Sequence, residues 1–206
     1  MANTVNKAKK KTARRWGRLV ALLVVLCVAA GAFVYGFVRV NNKFPAPTVQ
    51  QAGVGDTMEY NGFDVTLVES RMGTYSEIVE KDPDSIQMIG REEDGSPIDP
   101  EKVLTFFVTL RVKNKTQEQA VASLETVTVH SLTWNNGINL NATMVWNGED
   151  ANVFPMLQPE EEATVTYVYQ APYSMFPANG WEKAKADQYY LSLQVYPEYK
   201  EFVLDT

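Results

Sequence analysis

Two hydrophobic periodicities divide this chain. Residues 19–38 read LVALLVVLCVAAGAFVYGFV, twenty positions without a charge. At about 1.5 Å rise per residue, a helix of that length spans the ~30 Å hydrocarbon layer of a bilayer. Past residue 53 the continuous run gives way to alternation. Phe63, Val65 and Leu67 fall on one side, as do Leu104, Phe106, Val108, Leu110 and Val112 between Thr105, Thr109, Arg111 and Lys113. A period of two predicts strands with one buried face. Residues 124–133 (with Val127 and Val129), 162–170, 189–196 and 201–204 are further strand candidates. Residues 174–187, with Trp181, Ala184 and Ala186, predict one short helix.

Turn-forming residues punctuate these runs at Tyr60-Asn61-Gly62, Asn114-Lys115-Thr116, Asn135-Asn136-Gly137, Asn147-Gly148 and Gln158-Pro159-Glu160. Seven or so short strands with such spacing predict a mainly β fold, an antiparallel immunoglobulin-like β-sandwich preceded by one transmembrane helix. Residues 39–52 contain Phe44-Pro45-Ala46-Pro47 and read as an extended tether. The expected organisation is a basic cytoplasmic segment (1–18), a transmembrane helix (19–38), the tether (39–52) and an extracytoplasmic domain (53–206). Within that domain, residues 73–100 carry eight acids against Lys81 and Arg91 and no apolar periodicity. Connections of this length are uncommon unless functional or disordered. The segment is therefore expected to bury little, either as a plain solvated insertion or as a loop that faces a partner, with at most a helical turn at 76–80.

Charge orients the membrane segment. Residues 1–43 hold nine Lys or Arg and no acid, whereas the remainder holds ten bases and 25 acids, a net −15. Seven of the bases precede the apolar run, so the positive-inside rule puts the N-terminus in the cytoplasm and the domain outside. Ala30-Gly31-Ala32 has the small-x-small form of a signal-peptidase site, but the apolar run continues through Phe33, Val34, Tyr35, Phe37 and Val38. That favours a retained signal anchor over a cleaved peptide. The acidic domain argues against nucleic acid, whose binding rests on Lys and Arg. Cys27 is the single cysteine and lies in the apolar run, so the outer part has no thiol for a disulfide, a zinc site or nucleophilic catalysis.

Several short stretches carry a resemblance: Asn42-Lys43-Phe44-Pro45, Val54-Gly55-Asp56, Tyr60-Asn61-Gly62-Phe63, residues 108–114, Trp134-Asn135-Asn136-Gly137-Ile138, Leu157-Gln158-Pro159-Glu160-Glu161, and Trp181 with Tyr196-Pro197. In this order they resemble a family of uncharacterised single-pass membrane-anchored proteins of Gram-positive bacteria with an extracytoplasmic immunoglobulin-like β-sandwich. The resemblance implies fold and location and brings no activity with it.

Candidate chemistry is sparse. His130 is the sole histidine and ends an alternating strand, without a nearby His or Cys to complete a metal set and without a G-x-S-x-G elbow; it reads as structural. Glycoside hydrolysis needs two facing carboxylates, and Glu160-Glu161-Glu162 sits on a turn where acids are usually solvated. Asp82, Asp84, Glu92, Glu93 and Asp94 are hard oxygen ligands and calcium candidates, although they lack EF-hand spacing. Trp134 and Trp146, each beside an Asn-Gly turn signal, are candidate partner-binding residues, since exposed aromatics stack on sugars or anchor proteins. Trp181 reads as core. The expected function is a non-catalytic binding or interaction module without a cofactor, contacting membrane lipid through residues 19–38 and an envelope protein or polysaccharide through its domain. The alternatives are a carboxylate-dependent cell-envelope enzyme and an accessory structural subunit packing through Ala29, Ala30, Gly31 and Ala32.

Overall fold

A computed structural model describes residues 2–45, 47–132, 134–148, 150–177 and 179–206. The chain forms two compact units, Met1–Ala46 and Pro47–Thr206. The first is helix α1 (Ala2–Lys43). Its stretch Val20–Lys43, 24 residues, is long and apolar enough to cross a membrane, reaching roughly 36 Å at 1.5 Å per residue. Leu22, Val25, Phe33 and Phe37 stand exposed on it.

The second unit is built on strands: β1 (Thr48–Ala52), β2 (Thr57–Tyr60), β3 (Phe63–Thr74), β4 (Val103–Asn114), β5 (Ala120–Val121), β6 (Thr128–His130), β7 (Asn135–Gly137), β8 (Met156–Leu157), β9 (Glu162–Pro172), β10 (Tyr190–Gln194) and β11 (Glu198–Val203). One sheet has the order β1-β11-β10-β6-β7 and a second β2-β3-β4-β9, with β5 and β8 as a small pair. Inner faces of both main sheets share one core, in which Val65, Leu67, Phe106, Leu110 and Tyr167 meet Val129, Leu191 and Phe202. The mainly β, sandwich-like architecture expected from the alternation is what forms. Asn61 (φ +50°) and Gly62 (φ +81°) join β2 to β3 as the two-residue positive-φ turn that Asn-Gly favours. At Gly62 a Cβ would also lie 2.7 Å from the Thr116 methyl.

Residues 48–52, expected as part of the tether, are instead strand β1, paired parallel with β11 from Thr48↔Glu198 to Ala52↔Phe202. The other strand pairs are antiparallel. The strand escapes a periodicity test because it lies at an edge, mostly exposed, and is held by ladder hydrogen bonds rather than by an apolar face. The folded domain therefore begins before residue 53.

The larger correction concerns residues 73–100. After β3 the chain forms helix α2 (Ser76–Lys81), a 3-10 turn (Pro83–Met88) and a bridge between Arg91 and Pro97. Tyr75, Ile78, Ile89 and Ile98 are buried with Val103, Phe107, Val168 and Ala142 in a second apolar cluster. Ala142 belongs to helix α3 (Leu140–Asn147), capped by the Asn139 side chain accepting from Ala142 N at 3.0 Å and ended at Gly148, φ +97°. Together α2 and α3 form a third layer on the outer face of the four-stranded sheet. The segment thus buries four large side chains, contrary to the expectation that it buries little. Residues 135–137, expected as a turn, form β7, paired antiparallel with β6 from Thr128↔Gly137 to His130↔Asn135, and Asn136 Nδ2 donates to Gln170 O at 2.8 Å while its Oδ1 accepts from Gly137 N at 2.9 Å. The helix expected at 174–187 contracts to α4 (Trp181–Ala184) beside a 3-10 turn, Tyr173–Met175.

Candidate functional site

The two sheets treat their outer faces differently. α2 and α3 cover that of the four-stranded sheet. On the five-stranded sheet, Val129, Leu191 and Phe202 point into the core, so strand alternation sends Thr128, His130, Tyr190, Ser192, Tyr199 and Glu201 to the opposite face. Register then lines up Thr128, Ser192, Glu201 and Gln51 across β6, β10, β11 and β1, with His130 opposite Tyr190.

Glu201 sits at the centre of this face, 4% exposed. A buried carboxylate is costly unless hydrogen-bonded, and both of its oxygens are engaged. Gln51 Nε2 donates to Oε1 at 2.6 Å, and His130 Nε2 lies 3.1 Å from Oε2. The Tyr199 hydroxyl is 2.9 Å from the same imidazole nitrogen, and the His130 ring stacks on Tyr190 with centroids 5.4 Å apart. Burial, followed by the nearby Glu201 charge, pushes the Tyr199 hydroxyl pKa up, so it keeps its proton. The histidine that the sequence left alone is thus bound into a network with Glu201, 71 residues away. Only the shared phase of polar positions at 128/130, 190/192 and 199/201 hints at it.

A hollow of about 390 Å³ opens over this network. Thr128, His130, Ser192 and Tyr199 line it on the polar side, and Leu132, Trp134 and Val195 on the apolar side. Leu132 is 96% exposed. A second hollow of about 600 Å³ shares Leu132 and is otherwise largely apolar, with Phe176, Pro177, Ala184 and Ala186.

The remaining sequence candidates fall elsewhere. Trp134 is 9% exposed; it packs on Phe106, Tyr189 and Phe176 and sets its Nε1 3.0 Å from Met175 Sδ, so it reaches the first hollow only as part of a wall. Trp146 is half-buried on Phe107, ring centroids 4.3 Å apart, with Lys81 Nζ 4.2 Å from its ring centroid. Trp181, expected in the core, is half-buried against it. The five calcium candidates are not brought together. Asp82 accepts from Asp84 N, Asp94 accepts from Ser96 N and Oγ, and Glu92 accepts from the Tyr173 hydroxyl at 2.7 Å, while Asp84 and Glu93 are exposed. The Ser96 hydrogen bonds hold the Asp94 carboxyl below its usual range. Among the described residues, no three His, Cys, Asp or Glu side chains converge as a metal site. Glu160 pairs with Lys113 and Lys115, and Glu161 accepts from Gln158 N at 2.7 Å, so the acidic turn is engaged in its own geometry. A third hollow, about 520 Å³, lies between α3 and the segment following α2, lined by Lys81, Asp82, Met88 and Met144.

Fold and site together define a mainly β, sandwich-like domain, preceded in sequence by an apolar helix, with a polar pocket on its five-stranded sheet. Residues 49–200 match the family described as Domain of unknown function (DUF5028), and the chain belongs to that family. That match starts within β1, where the folded unit starts. Among solved structures the chain is similar to a conserved hypothetical protein from Bacillus anthracis (19% identity, 68% of this chain and 87% of that one, TM-score 0.44). It is also similar to an uncharacterised β-sandwich protein from Clostridium difficile 630 (8% identity, 77% and 96%, TM-score 0.43) and to a functionally unknown protein from Listeria monocytogenes EGD-e (8% identity, 66% and 68%, TM-score 0.41). No curated protein matches it.

Proposed function

We propose that this chain is a membrane-tethered, extracytoplasmic and non-catalytic binding module whose recognition surface is the outer face of the five-stranded sheet around His130. The observation that carries this reading is the contrast between the outer faces, one covered by α2 and α3 and the other bearing, among the described residues, a hollow over a buried carboxylate engaged by Gln51 and His130. Concave pockets with a few convergent polar groups are the usual form of a ligand site. Chemistry there is disfavoured. His130 Nε2 is shared between Glu201 and Tyr199, and among the described lining residues there is no carboxylate facing Glu201 across the pocket, as bond cleavage by paired acids requires. The basic N-terminal segment supports a cytoplasmic N-terminus with the domain outside; the same reading keeps the sandwich as immunoglobulin-like and in the cell envelope of a Gram-positive bacterium.

Two measurements test this. Protease added to intact cells should digest residues 47–206 and spare the N-terminal segment; a protected domain refutes the orientation. A photo-crosslinking residue at position 132 should form an adduct in cells whereas one at position 144, in the third hollow, should not. Turnover of envelope material that is lost in Glu201→Gln would instead support the enzyme alternative.

A further inference from the structure

We propose that the pocket over His130 takes a neutral, hydroxyl-rich ligand, a short segment of carbohydrate, held between the polar floor and the Leu132–Trp134 wall. This rests on the outer face being the recognition surface and adds the chemistry of what is recognised. Charge narrows the choice first. None of the described residues lining the pocket is Lys or Arg, and the domain's excess of 15 acids opposes an anion. Among the described residues the carboxylate on this face is Glu201, buried with Oε1 accepting from Gln51 and Oε2 against His130 Nε2, so a ligand cation finds no open counter-ion. What remains are Thr128, Ser192 and Tyr199 hydroxyls, the Asn135 amide and the imidazole, a set in which each group either does or can both donate and accept. A sugar hydroxyl also does both, and the Leu132, Val195 and Trp134 side gives its C–H faces an apolar surface. The Gln51–Glu201–His130 chain fixes the floor before a ligand arrives, which lowers the ordering cost of binding. At about 390 Å³, the hollow is at the small end of ligand pockets and suits one or two rings rather than a wrapped chain.

The test uses the full chain in phosphatidylcholine nanodiscs, so that no sugar-headed detergent competes, titrated calorimetrically with cellotetraose, maltotetraose and chitotetraose, and with tetragalacturonate as the anionic control. At least one neutral tetrasaccharide should bind saturably. Tyr199→Phe should weaken it at least tenfold, Leu132→Asp, on an exposed position, should do likewise, and Met144→Ala should leave it within twofold. Absence of binding by all three neutral sugars, equal binding of the anion, or insensitivity to both pocket variants overturns the proposal. The crosslink at position 132 separates the levels. An adduct without sugar binding removes the ligand class and leaves the surface, whereas neither result removes both.

Discussion

Arg71 on β3 stands directly across from Phe107 on β4, its guanidinium 4.0 Å from the ring centroid, and donates to both carboxylate oxygens of Glu77 on α2 at 3.0 and 2.8 Å. Trp146 of α3 lies on the same Phe107 ring, and Lys81 Nζ sits near Trp146 and donates to its carbonyl at 3.1 Å. One cation therefore joins the sheet to both helices of the third layer. Arg71→Ala should destabilise the domain by roughly 1–1.5 kcal/mol, because the ion pair is more than a third exposed and contributes about 0.5 kcal/mol after screening, and the cation–π contact adds about 0.5–1. Arg71→Lys should recover less than half, since an ammonium cannot make the two parallel hydrogen bonds. Denaturant unfolding of the full chain in nanodiscs, followed by tryptophan fluorescence, reads both; equal stability of Arg71→Ala and wild type would contradict this account.

The 73–100 segment should prove structural. Ile78 is fully buried, and Ile78→Ala should cost about 2–4 kcal/mol as a large-to-small core change, or roughly 5–12 °C in Tm for a domain of this size. Replacing residues 76–99 with a Gly/Ser linker should be worse, because it uncovers Val103, Phe107 and Val168 at once. A linker variant that melts within a few degrees of wild type would show that the third layer is dispensable.

Why the sequence announces one layer of this molecule and hides another has a physical cause. The core-facing positions of β3, β4 and β9 recur every second residue, Phe63, Val65 and Leu67, then Leu104 to Val112, then Val165, Tyr167 and Tyr169, and that spacing is visible in a short window. The third layer is irregular: Tyr75, Ile78, Ile89 and Ile98 share no period, and their partners are Phe107 and Val168 in remote strands. Phe107, next to Phe106 and out of phase with it, was the available signal, since a strand covered on both faces loses alternation. β1 was illegible because edge pairing needs no apolar pattern. The His130 network was illegible because Gln51, His130, Tyr199 and Glu201 come from three separate stretches that meet through cross-strand register.

Asn114 should be among the least replaceable polar residues. It is fully buried, its Nδ2 donates to Glu118 O and Leu157 O at 2.8 and 2.9 Å, and its Oδ1 accepts from Thr116 N and Oγ1, both at 2.8 Å. Asn114→Ala removes the side-chain partners of the Leu157 carbonyl and the Thr116 amide, while Glu118 O keeps the Thr116 hydroxyl at 2.8 Å, and should cost about 2–4 kcal/mol, at about 1–3 for each group that stays dry. Asn114→Asp keeps the shape but aims a carboxylate oxygen at two carbonyls. It should be less stable than Asn114→Ala at pH 7, and a reversed order would mean that water reaches the site.

Glu160 predicts a pH signature. It occupies a left-handed conformation, φ +64°, and its carboxylate meets Lys113 Nζ at 2.7 Å and Lys115 Nζ at 2.8 Å. Hydrogen bonds from these two lysines, Lys113 first, hold its pKa down to about 2. The folded-state value lies below the ordinary carboxylate value, so the stabilisation is fully present above that ordinary value, near 4.5, and is lost as pH falls through about 2. Glu160→Gln is the right comparison, because glutamine bears the same backbone strain and differs in charge. The Tm gap between wild type and this variant should be constant above about pH 5 and close progressively toward about pH 2, the direction set by linkage. It should also narrow in 1 M salt, where the screening length falls to about 3 Å. A gap that persists unchanged at pH 2 would assign the contribution of Glu160 to packing or neutral hydrogen bonding, and the absence of any gap at pH 7 would mean that solvent screens the pair completely.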